Sequence, residues 1–314
     1  MSRLMKKLIL AIASALLLFN IAADAAVQQL SRTVAPFSSI SVSDAFTVRL
    51  VRGSDSRVLL SIEEAYADYV TCDVVGYTLT ISLDERKVPL EVRRQFRGKG
   101  TPDPVFSAVI YVPELLGSVT LTDKAVLTDT EDVFDKASVS FNLSGSSSVK
   151  SLSLSSQALK ISMQNKAVAD IAFIGQTTDV ETSNSAHLTI DDSSEKSSYF
   201  LQGSSKVNAK CRTKEVNVRT KSNCVMLLTG SGDSVVYDIN GTSEVDASSF
   251  DVPDAKVSMS SVCKLTQSAY RNLTVNLNGG PTLYFGNEPQ VTVENIKSAT
   301  MTRIASGRKA SSKL

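Results

Sequence analysis

The chain has 314 residues, a formal net charge of +1 and a hydrophobic content of 42%. Its near-zero net charge provides no overall electrostatic field for nucleic acid, so we expect no nucleic-acid partner. The length and apolar content allow one large or two medium domains, each with a buried core.

The first 25 residues have the pattern of a secretory signal peptide. Basic residues precede an apolar run from Leu8 to Phe19, and Ala23-Asp24-Ala25 follows it. Small residues such as Ala23 and Ala25 are typical of a signal cleavage site. A single membrane anchor is the alternative, but this apolar run is short for a bilayer. We therefore predict an exported protein without a transmembrane segment in its mature chain, located in the periplasm, at the outer-membrane surface or outside the cell.

Residues 26–112 are rich in predicted strands but lack a regular period. The segment FSSISVSDAFTVRLVRG alternates apolar and polar residues, which is typical of a hairpin-like pair of strands. We expect this part to cap one end of the repeat array that follows it, or to form wider first coils of that array.

A basic stretch, EVRRQFRGKGTPDP, lies between these predicted strands. Its cations Arg93, Arg94, Arg97 and Lys99 form a candidate binding site for an anionic glycan or a lipid head group. A solvated surface loop is the alternative interpretation, since a run of charged residues is usually exposed to water.

A repeat of near-constant length occupies residues 113–295. Each copy has alternating apolar residues, a Gly-like residue, a small residue two positions later and a further apolar position, as in VSFNLSGSSSV. The Gly-like residue recurs every 18–22 residues, at Asp123, Gly145, Asn165, Asn184, Gly203, Ser222, Gly241, Ser261 and Gly279. Such regularity is the signature of an internal structural repeat.

The repeat has a direct physical interpretation. Alternation with a period of two gives a strand with one buried face. Gly, Asn and Asp tolerate the positive φ of a tight turn, so we name the nine positions the repeat corners. The period is about half of the roughly 40 residues that a propeller blade needs. The sequence therefore predicts an all-β fold, a β-solenoid of about nine coils, with a basic tail over residues 296–314.

The four cysteines are predicted to be buried free thiols. Cys224 and Cys263 share the small inward position of the repeat but lie two coils apart. Because coils stack at about 4.8 Å, the two thiols are about 10 Å apart and beyond disulfide reach. Cys211 occupies an inward position of its own coil, and Cys72 has no obvious partner in the N-terminal part.

The outward positions beside the corners suggest no catalytic, metal or cofactor site. Carboxylates on these ladders are scattered, and none stacks on another in a neighbouring coil. Arg219 and Asp238 do stack, which predicts a surface ion pair. His187 is the only histidine and has no nucleophile near it in the sequence pattern, so we expect neither catalysis nor metal binding there. We predict a non-enzymatic protein.

The repeated LSGSSSV, LQGSSKV and INGTSEV and the closing LNGGPTLYFGNEPQV resemble the head GIN domain family of auto-transporter adhesins. The resemblance covers about residues 34–295. It implies a right-handed parallel β-helix exported to a bacterial envelope, and it supplies no catalytic residue. The small Gly-Ala typical of the family repeats is often Ser, Asn-Lys or Asn-Ser in this sequence.

The sequence-based hypothesis is an exported, adhesin-like binding protein of the cell envelope. Its partner would be a polysaccharide or a protein, bound through the solenoid ladders or an end surface. The sequence leaves open whether the protein forms a homo-oligomer. One alternative is a polysaccharide lyase or hydrolase on the same scaffold, since β-solenoids can place catalytic carboxylates on one outer face. The other alternative is a structural or signalling module that binds proteins.

Overall fold

The computed structural model describes residues 27–98, 100–128 and 130–304. The predicted signal peptide with Ala23 and Ala25, the candidate residue Lys99 and the last ten residues lie outside this part of the chain. Strand makes up 65% of the structure and helix 4%, so the fold is all-β, and it forms a β-solenoid of about ten turns. The predicted fold class is confirmed.

The described part of the chain contains the following strands and one α-helix. The strands are β1 (Val27–Thr33), β2 (Ser39–Val42), β3 (Thr47–Arg52), β4 (Arg57–Glu63), β5 (Val70–Val75), β6 (Thr78–Leu83), β7 (Phe106–Val112), β8 (Ser118–Leu121), β9 (Val126–Leu127), β10 (Ser138–Leu143), β11 (Ser148–Ser155), β12 (Ala158–Met163), β13 (Val168–Ile174), β14 (Thr177–Thr182), β15 (His187–Ser193), β16 (Lys196–Gly203), β17 (Lys206–Ser222), β18 (Val225–Asn240), β19 (Glu244–Ser260), β20 (Lys264–Asn278), β21 (Thr282–Phe285), β22 (Gln290–Lys297) and β23 (Thr300–Arg303). The helix α1 spans Leu90–Gln95, and a 3-10 turn spans Glu64–Tyr69.

Two rows of parallel strands enclose the core. The first row runs β6, β2, β8, β10, β12, β14, β16, continues through the C-terminal halves of β17 to β20 and ends at β22. The second row runs β7, β3, β9, β11, β13, β15, then through the N-terminal halves of β17 to β20 to β21 and β23. Alternate side chains of both rows point into one shared hydrophobic core.

The first coils are not stacked in chain order. Strand β2 lies between β6 and β8, and β3 lies between β7 and β9. The coil of β2 and β3 is therefore sandwiched between two coils that come later in the sequence. Three further strands cover this end in antiparallel pairs, because β5 pairs with β6, β4 with β7 and β1 with β4. Covered ends protect a sheet from edge-to-edge association.

The hairpin-like pairing expected for FSSISVSDAFTVRLVRG is wrong. Strands β2 and β3 belong to different rows and pair with β6, β8, β7 and β9 instead. They are joined by a corner at Asp44, whose φ of 60° matches the corners of later coils. Alternation predicts a half-buried strand but does not specify which strand pairs with it, and this limit explains the error.

All nine repeat corners have a positive φ, between 58° and 86°. Asp44 and Ser298, with φ of 60° and 54°, extend this ladder at both ends beyond the sequence repeat. The stacked corners leave little space. A Cβ on Gly203 would meet the backbone of Asn184 at 2.8–3.0 Å. The positive φ and the close stacking together explain why Gly, Asn, Asp and Ser occupy the ladder.

The solenoid continues beyond residue 295, where the sequence pattern ended. Strand β22 pairs with β20 as far as Lys297, and β23 pairs with β21. The tail expected over residues 296–314 therefore starts later than predicted, because residues 296, 297 and 300–303 form strand. Every residue of β22 is exposed, so the strand has no alternation of burial that the sequence could reveal.

The solenoid core holds both apolar and polar side chains. Phe141, Phe173 and Phe250 are fully buried, and all four cysteines are buried and unpaired, as predicted. Asp192 is also fully buried. Its carboxylate accepts hydrogen bonds from hydroxyl groups of three neighbours, which satisfies a group that would otherwise be costly to bury.

The hydrogen bonds of Asp192 join the two rows of strands. Asp192 lies on β15 of the second row, and its three partners lie on β14 and β16 of the first row. Thr178 Oγ1 donates to Asp192 Oδ1 at 2.9 Å, and the hydroxyls of Ser197 and Tyr199 donate to Oδ2, each at 2.7 Å. The Tyr199 hydroxyl also lies 3.3 Å from the sulfur of Cys211. Burial raises the pKa of the Cys211 thiol to about 12, and nearby Asp192 adds to this shift.

Candidate functional site

The widest departure from the repeat is the connection from β6 to β7, residues 84–105. It carries α1, which follows Pro89 and ends before Phe96. Proline favours a helix start because its missing N–H would have no helical partner there. The connection packs beside Ala45 and Lys124, the residues that follow two corners, and these elements together line a cavity. We name this cavity the N-terminal pocket.

The N-terminal pocket has a volume of about 470 Å³ and an aromatic floor. The ring of Tyr66, from the 3-10 turn, lies 5.4 Å from that of Phe96 and 5.3 Å from that of Phe106. Tyr66 and Phe106 are 6% and 8% exposed, and Phe96 is half-buried. Tilted and edge-on ring contacts of this kind are favourable. The floor is thus a fixed apolar surface, supplied by three separate elements.

Charged side chains surround the floor. Arg93, Arg97 and Lys124 line the N-terminal pocket together with Glu85 and Asp103. Within the described residues, none of these five side chains forms an ion pair within 4.0 Å. The Nε atom of Arg93 is buried without a hydrogen-bond partner in the described part of the chain. A buried donor without a partner is unusual and costly.

Two arginines of the rim affect the pKa of Tyr66 in the floor. Burial raises the pKa of the Tyr66 hydroxyl above its usual range, and Arg97 and Arg93 partly oppose the rise by favouring the phenolate. Both guanidinium groups are therefore close enough to stabilise negative charge beside the aromatic floor. Chemically, the arrangement suits a ligand that combines an anionic group with an apolar part.

The structure places three of the four binding residues that the sequence predicts, and Lys99 lies outside the described residues. Arg93 and Arg97 line the N-terminal pocket. Arg94 lies on α1 next to Arg93, is exposed and does not line the pocket. Sequence reasoning missed Lys124 and the three aromatic rings: Lys124 and Tyr66 come from other parts of the chain, and Phe96 and Phe106, inside and just after the basic stretch, show no pattern that assigns them to a pocket. The nearest sequence signal is the position of Lys124, directly after the corner at Asp123.

Several charges on the regular coils pair with one another. Asp191 accepts from Arg212 at 3.0 Å and from Lys210 at 3.3 Å, both in the next coil. The predicted stack of Arg219 and Asp238 is present, with 3.5 Å between Nε and Oδ2. Exposed pairs of this kind contribute under about 1 kcal/mol each.

The outer wall of the second row has shallow depressions, of which one has a volume of about 360 Å³ and another about 300 Å³. Ala172 and Ile174 form the apolar part of the first, and Asp191 and Arg212 border it. Ile174 is 65% exposed. His187 stands on the same wall, opposite Lys206 of the next coil. Within the described residues, no group of three or more His, Cys, Asp or Glu side chains is arranged to hold a metal ion.

The family model described as "Putative auto-transporter adhesin, head GIN domain" matches residues 36–182 and 174–289. The chain belongs to the head GIN domain family. The family is named for adhesins, which fits a surface or exported protein in general terms. A search among curated proteins gives no match. The part of the chain described by the structure has no helix of sufficient length and apolar character to cross a membrane.

Several solved structures are similar to this one. A "putative lipid binding protein" from Parabacteroides distasonis is 14% identical, with 90% of this chain and 98% of that chain covered and a TM-score of 0.45. A "putative adhesin" from the same organism is 13% identical, covers 90% and 98%, and has a TM-score of 0.47. Another, from Parabacteroides merdae, is 14% identical, covers 90% and 97%, and has a TM-score of 0.46. At these values the similarities say nothing about what this chain binds.

Proposed function

We propose that this protein is an exported, non-enzymatic, adhesin-like binding protein of the cell envelope, and that it binds an anionic ligand in the N-terminal pocket. The observation that carries the proposal is the convergence of three cations on one cavity. Arg93, Arg97 and Lys124 line this cavity without ion-pair partners among the described residues, and the buried Nε atom of Arg93 lacks a hydrogen-bond partner there.

Binding rather than catalysis is favoured by the chemistry of the pocket. Glycoside hydrolysis uses two carboxyl groups, of which one acts as a general acid with a raised pKa. Glu85 and Asp103 line the pocket, but an aromatic floor and three cations surround them. The arrangement is suited to holding an anion.

A retention assay tests the binding role. The chain from residue 26 onward is incubated with immobilised anionic and neutral envelope components, both polysaccharides and lipids, and both retention and cleavage products are measured. We expect retention on anionic material without products. Arg93→Gln/Arg97→Gln should abolish retention, whereas Lys210→Gln/Arg212→Gln, which removes paired charges on a regular coil, should not. Cleavage products, or equal retention of both variants, would contradict the proposal.

Export is tested separately. The full chain is expressed in a Gram-negative bacterium, the cell fractions are separated and the N-terminus of the accumulated protein is sequenced. We expect the mature chain to begin at Ala26 and to be found outside the cytoplasm, since the first 25 residues have the pattern of a signal peptide. A cytoplasmic protein that retains its first 25 residues would contradict this part of the proposal.

A further inference from the structure

The N-terminal pocket combines two surfaces that a single ligand must satisfy together. Its volume of about 470 Å³ lies within the roughly 300–1,000 Å³ of typical small-molecule sites. The floor is aromatic, and the rim carries Arg93, Arg97 and Lys124. A free inorganic anion would use only the rim, and a neutral apolar molecule would use only the floor.

A sugar polymer fits this arrangement poorly. Stacking against sugar rings needs aromatic faces that are open to solvent, but Tyr66 and Phe106 are almost fully buried. They line the cavity as apolar surface. Such a surface contacts methylene groups well, because apolar contact has no directional requirement. The floor therefore selects for an alkyl chain over a row of hydroxyl groups.

The charged rim favours an anionic group at the other end of the ligand. A guanidinium group binds a carboxylate or a phosphate through two parallel hydrogen bonds, which gives both strength and orientation. Arg93 has an Nε atom that is buried and lacks a partner among the described residues. An anionic oxygen in the cavity would supply an acceptor for the unpaired cations of the rim. Lys124, from the neighbouring coil, would add a point charge.

Resting on the proposed function, we infer that the N-terminal pocket binds a single-chain amphiphile, with its alkyl tail on the floor formed by Tyr66, Phe96 and Phe106 and its anionic head held by Arg93, Arg97 and Lys124. The head is a carboxylate or a phosphate group. The ligand class is thus the monomeric fatty acid or alkyl phosphate, not a bilayer surface.

The tail is tested with a series of fatty carboxylates. Binding of butanoate, octanoate, decanoate and dodecanoate to the chain from residue 26 onward is measured by calorimetry below their micelle concentrations. We expect the affinity to rise by about fourfold for each methylene that enters the floor, and to level off when the cavity is full. Equal affinity for butanoate and dodecanoate would overturn the inference.

The head is tested with matched ligands and variants. Dodecanol, which lacks the charge, should bind about tenfold or more weakly than dodecanoate, and so should dodecanoate to Arg93→Gln/Arg97→Gln or Lys124→Gln. The control Arg94→Gln removes a charge from the same helix but not from the rim, and should change nothing. Circular dichroism and melting temperature establish that each variant is folded. Unchanged affinity in both rim variants would overturn the inference.

Two further outcomes separate this inference from the proposed function. Binding to phosphatidylglycerol vesicles but not to monomeric dodecanoate or dodecyl phosphate would overturn the inference in favour of a membrane surface. Retention on anionic polysaccharide that depends on Arg93 and Arg97, without dodecanoate binding, would also overturn the inference but leave the proposed function standing. No binding of either kind would overturn both.

Discussion

The regular coils from β10 onward and the coils that precede β10 share the same two rows of strands but use charge and space differently. In the regular coils, the corners stack closely and outer charges such as Asp191 and Arg212 pair between neighbours. In the first coils, the chain order is broken and the connection from β6 to β7 leaves a cavity with unpaired cations. The closely stacked corners of the repeat leave little room for a ligand, so we expect binding where the repeat is interrupted.

The largest expected effect contrasts two phenylalanines. Phe141 is fully buried in a regular coil, where its ring lies 5.6 Å from that of Phe134. We expect Phe141→Ala to lower the free energy of unfolding by about 3–5 kcal/mol, because it leaves a cavity in a packed core. Phe96 is half-buried on the pocket floor, so we expect the loss for Phe96→Ala to be about half as large. Urea unfolding of both variants measures the difference.

An equal loss for Phe96→Ala and Phe141→Ala would contradict this contrast. It would mean that the pocket floor is as tightly packed as the solenoid core. We instead expect Phe96 to contribute chiefly to ligand contact.

The next effect concerns the buried carboxylate of the regular coils. Asp192→Asn keeps the shape but replaces an acceptor with an amide donor that faces hydroxyl groups of Thr178, Ser197 and Tyr199. We expect a loss of about 1–3 kcal/mol in the free energy of unfolding. Asp191→Asn, one residue away on the exposed wall, is the matched control and should cost under about 1 kcal/mol. Equal losses in urea unfolding would show that the buried hydrogen bonds do not stabilise the coil.

A smaller effect is expected at two corners of neighbouring coils. Gly203→Ala places a Cβ at a φ of 71° and against the backbone of Asn184, and should destabilise the protein by about 1–2 kcal/mol. Ser222→Gly, at a φ of 86°, relieves the same kind of strain and should stabilise by less than about 1 kcal/mol. Thermal unfolding of both variants should shift in opposite directions. Shifts of the same sign would contradict the assignment of strain to the corners.

The smallest effect is a pH dependence of stability. Burial raises the pKa of the Cys211 thiol to about 12, whereas an unfolded thiol titrates near about 8.5. Because the folded pKa is the higher one, this contribution to stability is complete below about pH 8.5 and is lost as the pH rises towards 12. Between pH 8.5 and 9.5 the expected loss is about 1 kcal/mol.

Urea unfolding of the wild type and of Cys211→Ser at the two pH values isolates this term. The variant keeps a small polar group beside Tyr199 and removes the thiol, so its stability should fall less steeply with pH. An identical pH dependence in both proteins would show that Cys211 titrates normally in the folded state. Cys72, whose pKa burial raises to about 11, should give a similar result in the first coils.

Most of the fold is legible in the sequence because its physics is local. Each repeat corner is one residue with a positive φ, flanked by strands of period two, so the period and the residue type reveal Asp123 and its successors. The order of the first coils depends on pairing between distant strands. The alternation in β2 and β3 is the same whether they pair with each other or with β6 to β9. The exposed strand β22 carries no alternation of burial at all.

The candidate site is only partly legible for the same reason. Arg93 and Arg97 are visible as a basic stretch, and they do line the pocket. Helix periodicity does not separate Arg93 from Arg94, because α1 is only six residues long, and Arg97 lies beyond the end of α1. Phe106 directly follows the connection, whereas Tyr66 and Lys124 come from other parts of the chain and join the site through the order in which the first coils stack. Without a prediction of that stacking, no sequence pattern brings these residues together.

Hydrogen exchange with and without the anionic ligand that is best retained tests the central claim most directly. We predict new protection in residues 83–98 and 100–106 and at Ala45 and Lys124, next to two corners, because these residues surround the N-terminal pocket. The regular coils from β10 to β20 should exchange at unchanged rates. Protection spread along the walls of those coils, with none around the pocket, would contradict the claim that the interrupted part of the repeat binds the ligand.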